Sequence, residues 1–261
     1  MVNNIPILAK SYHEPPVFTA QELLNLRRAN GEFPQFSVPE TVILCYSTGA
    51  LKELIRRCPA RPIKGLAYDL YLIKQTQGLL AIAGNFGVGG PAAAVLVEEL
   101  VAMHVKRFLA VGLAGSLQPD LHPGEIFLCE GAVRDEGTSY HYLEPARTVA
   151  ANPEMLISLG NILQSRSVPF KKGASWTTDA PYRETRQKIE AFQDEGIQTV
   201  EMEAATLFAV AQYLQVQAGA AFVISDSLAD YQLKINNDRR LIQASLRAVL
   251  DAAVQAFSGK G

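Results

Sequence analysis

Short apolar runs alternate with amphipathic stretches along the chain, at strand and helix spacings. Residues 41–46 (TVILCY), 79–83 (LLAIA), 108–113 (FLAVGL) and 218–225 (AGAAFVIS) are near-continuous apolar runs. Such runs without polar alternation predict strands buried on both faces. Residues 125–134 and 170–176 read as further extended segments. Helical patterning covers 51–57, 92–103, 153–163, 182–191, the stretch through Leu207, Val210 and Leu214, and a long segment over 237–257. A short helix is predicted over 20–29, where Thr19 followed by Glu22 forms a capping box. Glycine-rich turns are expected at 84–91 (GNFGVGGP) and 114–116 (AGS). Strands alternating with helices predict an α/β fold. We expect a single domain whose central, mixed and largely parallel sheet is covered by helices. Residues 1–40 are polar and broken by prolines. They are expected to form an N-terminal extension packed on a domain spanning 41–261.

Composition narrows this reading. Of 261 residues, 48% are hydrophobic and 19% charged, enough for a sizeable core and against disorder. A net charge of -2 argues against nucleic-acid and anionic-membrane partners, while leaving room for a local anion site. Cys45, Cys58 and Cys129 are scattered and odd in number, so neither a disulfide framework nor a metal site is expected. The N-terminal residues lack a basic segment followed by a long apolar one, and no segment approaches a membrane span. A cytoplasmic protein is therefore expected.

The most informative stretch is Val200-Glu201-Met202-Glu203-Ala204, placed where a strand becomes a helix. A carboxylate there can accept hydrogen bonds from a vicinal diol, and a methionine can pad the apolar side of a sugar ring. The same acids also suit an ordinary first helical turn, where Glu favours the positive helix end. Ligands of such sheets bind beyond the carboxyl ends of strands. Three other strand ends carry unusual residues. Val88, Gly89 and Gly90 precede a helix and form a candidate anion cradle, or a tight turn that lets helix and strand pack closely. Gly115, after Ala114, allows a flat ligand near the backbone. Asp226 ends an apolar strand, where it is either a general acid or a cap.

Taken in order, these segments resemble the nucleoside phosphorylase superfamily, which includes purine nucleoside phosphorylases, uridine phosphorylases and methylthioadenosine nucleosidases. The resemblance runs over residues 41–258. GVGGPAAAVLVEEL (87–100) and FLAVGLAGSLQPDLHPGEIFL (108–128) resemble the family's two glycine turns and their flanking elements. AVRDEGTSYHY (132–142) is similar to the uridine phosphorylase branch, VEMEAATL (200–207) to the family's ribose motif, and SDSLAD (225–230) to the purine and nucleosidase branches. The resemblance implies cleavage of the N-glycosidic bond of a nucleoside. Glu203 would bind the ribose hydroxyls, Met202 would pack on the sugar, and Glu201 would shape the site. Ala114 and Gly115 would lie along the base, Trp176 or Tyr182 would form an aromatic wall, and Asp226 would protonate or hydrogen-bond a purine N7. It further implies no cofactor and no metal, phosphate as possible co-substrate, and a homo-oligomer built from dimers. His13 matches an N-terminal histidine that reaches a neighbour's site.

Departures from the pattern fall on the acceptor. Phosphorolytic members hold phosphate with three arginines, and the matching positions are Ala50, Ala110 and Ala67; the assisting hydroxyl is replaced by Leu113. A dianion leaving water needs such charge-assisted bonds. Arg134, Lys52 or the amides at 88–90 are the remaining candidates. Nucleosidase members activate water with a glutamate near position 50, where Glu53, one helical turn on, is the nearest substitute. Phosphate, water and non-catalytic nucleoside binding therefore stay open. So does the base: Asp226 points to a purine, whereas 183–187 holds the Arg and Gln types of a uracil site in different spacing.

Overall fold

The computed structural model describes residues 14–235 and 238–258. The strands are β1 (Thr41–Cys45), β2 (Ala60–Ile63), β3 (Asp69–Ile73), β4 (Leu80–Gly84), β5 (Arg107–Ser116), β6 (Ile126–Asp135), β7 (Thr148–Ala150), β8 (Lys171–Thr178), β9 (Thr199–Glu201), β10 (Gln217–Ser227) and β11 (Lys234–Ile235). The helices are α1 (Ala20–Ala29), α2 (Thr48–Arg57), α3 (Gly90–Ala102), α4 (Pro153–Ser165), α5 (Arg186–Asp194), α6 (Ala204–Tyr213) and α7 (Arg239–Ala256).

The predicted apolar runs become the buried strands. Every residue of β1 and β4 is buried, as their lack of alternation requires. Most helix starts carry the side-chain cap that their orphan amides need. Thr19 and Glu22 complete the capping box of α1, and Ser47, Asn152, Thr185 and Asp238 cap α2, α4, α5 and α7. Two helices have no such cap on their own first residue, α3 and α6. Both starts lie at the site described below.

One sheet orders the strands β11-β10-β6-β8-β9-β5-β1-β4-β3-β2. It is mixed, and its longest pairings, β5 with β10 and β6 with β8, are parallel. β1 pairs parallel with β4 and β5, β5 with β10, and β8 with β6 and β9. The remaining pairings are antiparallel, including the β2–β3 hairpin and β3–β4. β10 also pairs with both β6 and β5, so β5, β9, β8, β6 and β10 close on themselves. The chain's periodicity does not carry this closure, because strand direction depends on which distant partner is met. β2 (ARPI) is a polar edge strand containing a proline, and it escapes an apolar-run criterion.

Two further expectations are corrected. The expected turn at 114–116 is the last part of β5, paired with β9 and β10. Small residues there let neighbouring strands and a side chain approach closely. The expected helix over 182–191 starts only at Arg186; a short 3-10 turn, Pro181–Arg183, precedes it. α1 contributes Leu24 to the main core and lies against α3. That main core fills the space between the helices and the sheet. A second cluster, with Trp176, Phe192, Val200 and Leu117, lies under α5.

α3 and α6 meet at Gly90. A Cβ there would stand 2.5 Å from Thr206 Oγ1 and 3.0 Å from Thr138 Oγ1. Substituting Gly90→Ala should therefore destabilise the fold by about 1–3 kcal/mol despite alanine's better helix propensity. Urea denaturation of the variant beside wild type checks this; equal stability would refute the close approach.

Candidate active site

β5 is the axis of the site. β1 and β10 flank it, and β9 pairs with its end. The carboxyl ends of β1, β4, β5 and β10 and the β9–α6 junction thus converge, which is where such sheets hold ligands.

The junction is built on Glu201. Glu201 is 5% exposed. Oε1 accepts from Thr177 Oγ1 at 2.5 Å and Ser175 Oγ at 3.3 Å; Oε2 accepts from the Glu203 and Ala204 amides, both at 2.7 Å. Glu201 therefore supplies the cap that α6 lacks, and its charge faces the positive helix end. Thr177 Oγ1 in turn accepts from the Ala205 amide at 2.9 Å. Burial pushes the Glu201 carboxyl above its ordinary value, against the hydrogen bonds that pull it down. For this residue the helix-end explanation holds.

Glu203 is different. It is buried, and its Oε1 accepts from the Gly89 amide at 2.7 Å. Burial first, and then the negative charge of Glu201, raise its carboxyl to about 7. The glycine loop thus meets an anion, and the anion is the protein's own Glu203. Gly87 and Gly89 carry φ of 102° and 87°, which favour glycine. Of the candidate cradle, the Gly89 amide is committed to Glu203, Gly90 packs on α6, and Val88 is exposed. Met202, between the two acids, is half-buried.

Gly115 and Asp226 come together. A bulge in β10 between Ile224 and Asp226 re-aims the aspartate, which pairs with Gly115. A Cβ at Gly115 would lie 3.0 Å from Asp226 Oδ2 and 3.2 Å from Val200 Cγ1. Glycine at this position is what lets the carboxylate cross the strand. Ser225 donates to Asp226 Oδ1. The neighbouring Ala114 is buried. Asp226 has a partner that the sequence did not single out. Glu184, half-buried after the 3-10 turn, is raised to about 7 by burial and by the charge of Asp226.

The aromatic wall is corrected for Trp176. Its ring is fully buried against Phe192, and its Nε1 donates to Asp135 Oδ2 at 2.9 Å. It serves the second core. Tyr182 is fully exposed. Tyr46, absent from the sequence-based candidates, stands at the end of β1 instead. Its ring lies on Gly112 of β5 and meets Phe86 edge-on at 4.9 Å.

The chain matches the family model described as the phosphorylase superfamily over residues 40–256. The chain belongs to that superfamily. A guanosine phosphorylase of Halorubrum lacusprofundi is 30% identical over 174 residues, 64% of this chain and 72% of that one. A uridine phosphorylase of Haemophilus influenzae is 27% identical over 179 residues, 62% and 69% of the two chains. Among solved structures, the uridine phosphorylase of Vibrio fischeri shares the fold with a TM-score of 0.74 at 24% identity, covering 85% of this chain and 92% of that one. The purine nucleoside phosphorylase of Toxoplasma gondii does so at 0.75 and 17%, covering 85% and 91%.

Against the superfamily's pattern, Ala50 is buried in the first turn of α2, Ala110 is buried in β5, and Ala67 is exposed. Leu113 is 43% exposed in a strand otherwise almost wholly buried. The substitute cations do not gather here. Arg134 is buried and donates to Ser139 Oγ and to the Glu144 and Leu143 carbonyls. Lys52 is exposed on α2, and Glu53 pairs with Arg57 and Arg247. Among the described residues, neither Glu201 nor Glu203 forms an ion pair. No group of three or more His, Cys, Asp or Glu side chains there is placed to hold a metal ion, and no helix there is long and apolar enough to cross a membrane. His13 lies outside the described residues.

The raised Glu203 makes stability depend on pH. Its carboxyl moves from 4.5 to about 7 on folding, so the folded state binds more protons between those values. Stability is therefore full below the lower value and falls as pH rises through the window. The loss should be about 2–3 kcal/mol between pH 5 and 8. Glu184 adds a smaller loss of the same sign, reduced by its exposure. Glu203→Gln should flatten the curve, measured by urea unfolding at several pH values. Parallel curves for the two proteins would refute the assignment.

Proposed function

We propose that the protein cleaves the N-glycosidic bond of a nucleoside, with a purine as the leaving base. The carrying observation is the pair of acids set around β5. Glu203 stands at the head of α6 beside the glycine loop, and Asp226 lies across Gly115. A carboxylate has about four acceptor positions. The Gly89 and Met202 amides both act on Glu203, which still leaves positions for the ribose 2′ and 3′ hydroxyls. Met202 beside it offers an apolar edge to the sugar. The base is met by Asp226, whose carboxylate crosses the strand where Gly115 has no side chain.

The transition state of such a cleavage is oxocarbenium-like, so acidic charge beside the sugar stabilises it beyond binding. The departing base needs a proton. Asp226 faces it, and Glu184 behind, raised to about 7, carries one near neutral pH and can pass it on. The names of the relatives, guanosine, uridine and purine nucleoside phosphorylases, support glycosidic cleavage with phosphate as acceptor. Water is the second reading. The alanines at 50, 110 and 67 and Leu113, at the positions matched to the superfamily's phosphate contacts, favour it.

A panel of purine and pyrimidine nucleosides, incubated with and without phosphate, tests the reading. Purine release is expected. Release of pyrimidines alone would overturn the base assignment, and nucleoside binding with no release would make the protein a binder. Asp226→Asn should lower purine release by about 10²–10⁴-fold. Glu203→Ala should weaken nucleoside binding by more than about tenfold, the worth of hydrogen bonds to a charged group. Unchanged binding in titration calorimetry would refute the ribose role.

A further inference from the structure

We propose that Asn85 is a positioning residue of the site: it anchors the glycine loop so that the Gly89 amide meets Glu203. The inference rests on the nucleoside-cleavage reading and extends it to what holds the sugar-binding acid in place.

The loop between β4 and α3 runs from Asn85 to Gly89. Three of its residues lie in the left-handed region, Asn85 at φ 54°, Gly87 at 102° and Gly89 at 87°. Two of these are glycines, which give up more conformational freedom on folding than any other residue. Such a loop keeps one shape only where each end is held. The far end is held by Gly89, which donates to Glu203 Oε1 at 2.7 Å, and by Gly90, packed against Thr206 and Thr138. Asn85 holds the near end. Its Nδ2 donates to Asp69 Oδ2 at 2.6 Å, at the start of β3. Its Oδ1 accepts from Thr48 Oγ1 at 3.1 Å, at the start of α2. A carboxylate only accepts, so the amide nitrogen must face Asp69 and the oxygen Thr48. The bond to Asp69 is short and ends on a carboxylate, the stronger class of hydrogen bond.

The backbone at Asn85 singles it out. Among the described residues, the other non-glycine residues with positive φ are Gln77, His104, Ser167, Gln215 and Tyr231. The first four come directly after a helix or a 3-10 turn, where a left-handed residue is an ordinary way to stop. Tyr231 lies in the turn between β10 and β11. Asn85 instead follows β4, at a strand end that faces the site. Asparagine tolerates this conformation better than most residues, and backbone strain of this kind gathers at functional sites. The next residue shows what the bend achieves: Phe86 meets Tyr46 edge-on at 4.9 Å, so the loop is laid against the end of β1. Burial and the charge of Glu201 raise Glu203 to about 7, and the Gly89 amide opposes them. A loop released at Asn85 loosens that bond and shifts the acceptor positions Glu203 offers to a sugar. Asn85 itself transfers no proton and acts through Gly89.

Asn85→Gly tests this, because glycine keeps the left-handed backbone and removes only the two side-chain bonds. Carboxyl-carbon NMR should show Glu203 titrating about half a pH unit or more above wild type, since a weakened bond to the charged form disfavours that form. The Kd for the purine nucleoside that the panel selects should rise about three- to tenfold, the worth of roughly one hydrogen bond. Asn85→Ala, which also opposes the backbone, should do more of both. Gln77→Ala is the control: it imposes the same backbone strain at the opposite end of β4 and should leave both readings at wild-type values. A merely structural asparagine would lower the melting temperature and leave Glu203 where it is. An unmoved Glu203 titration or an unchanged Kd in Asn85→Gly, or equal shifts in the Gln77 control, would overturn the inference while leaving nucleoside cleavage standing. Wild type that binds no nucleoside of the panel would overturn the reading beneath it, and the titration alone then decides whether Asn85 sets Glu203.

Discussion

The site depends on one buried carboxylate. Glu201 lies where β9 ends and α6 begins, in a place from which water is excluded. An isolated ion there would cost several kcal/mol, and four donors offset that cost. Those donors come from β8 and from the first amides of α6, so the same charge locks strand, strand and helix together. Once the junction is fixed, Glu203 has a single place to stand. Its contact with Gly89 then draws the glycine loop and the start of α3 to the same point.

This arrangement divides the two glutamates of one tripeptide by role. Glu201 spends its lone pairs inside the protein. Glu203 spends one on Gly89 and is left raised to about 7 by the charge next to it and by burial. The acid that caps α6 thus raises the carboxyl of its neighbour. Asp226 lies across β5 at Gly115, and its charge acts on Glu184. Between them the strand presents glycine at 112 and 115, and each glycine accommodates a neighbouring side chain: the Tyr46 ring at one, the Asp226 carboxylate at the other. The membership of the phosphorylase superfamily explains the frame, and the apolar residues at 50, 110 and 113 mark where this chain departs from it.

Much of this was legible in the residues, and the gaps have physical causes. Continuous apolar runs announced β1, β4 and β10, because strands covered on both faces have no polar side to alternate with. Thr19 and Glu22 announced α1 through a local capping box. The order Gly-rich turn, Ala114-Gly115, Glu201–Glu203, Asp226 marked residues that the fold brings together around β5, since those residue types are unusual at strand ends. Trp176 was misread for lack of tertiary information: an aromatic residue near a site and one in a core look alike until Phe192 and Asp135 are seen against it. Tyr46 and Glu184 were passed over as candidates because nothing local distinguishes a loop tyrosine or a loop glutamate.

The chain alone thus determined its strand-and-helix alternation, its family, and which acids stand at the strand ends, because hydrophobic period, capping chemistry and motif order are local properties. Tertiary structure decided the rest. Whether strands run parallel, whether five of them close into a ring, and which glutamate faces inward all depend on partners far along the chain. So does the setting of the Tyr46 hydroxyl, which has no hydrogen-bond partner among the described residues. Its burial, and the two negative charges acting on it, exist only once β1, β5 and the β9–α6 junction have been brought together.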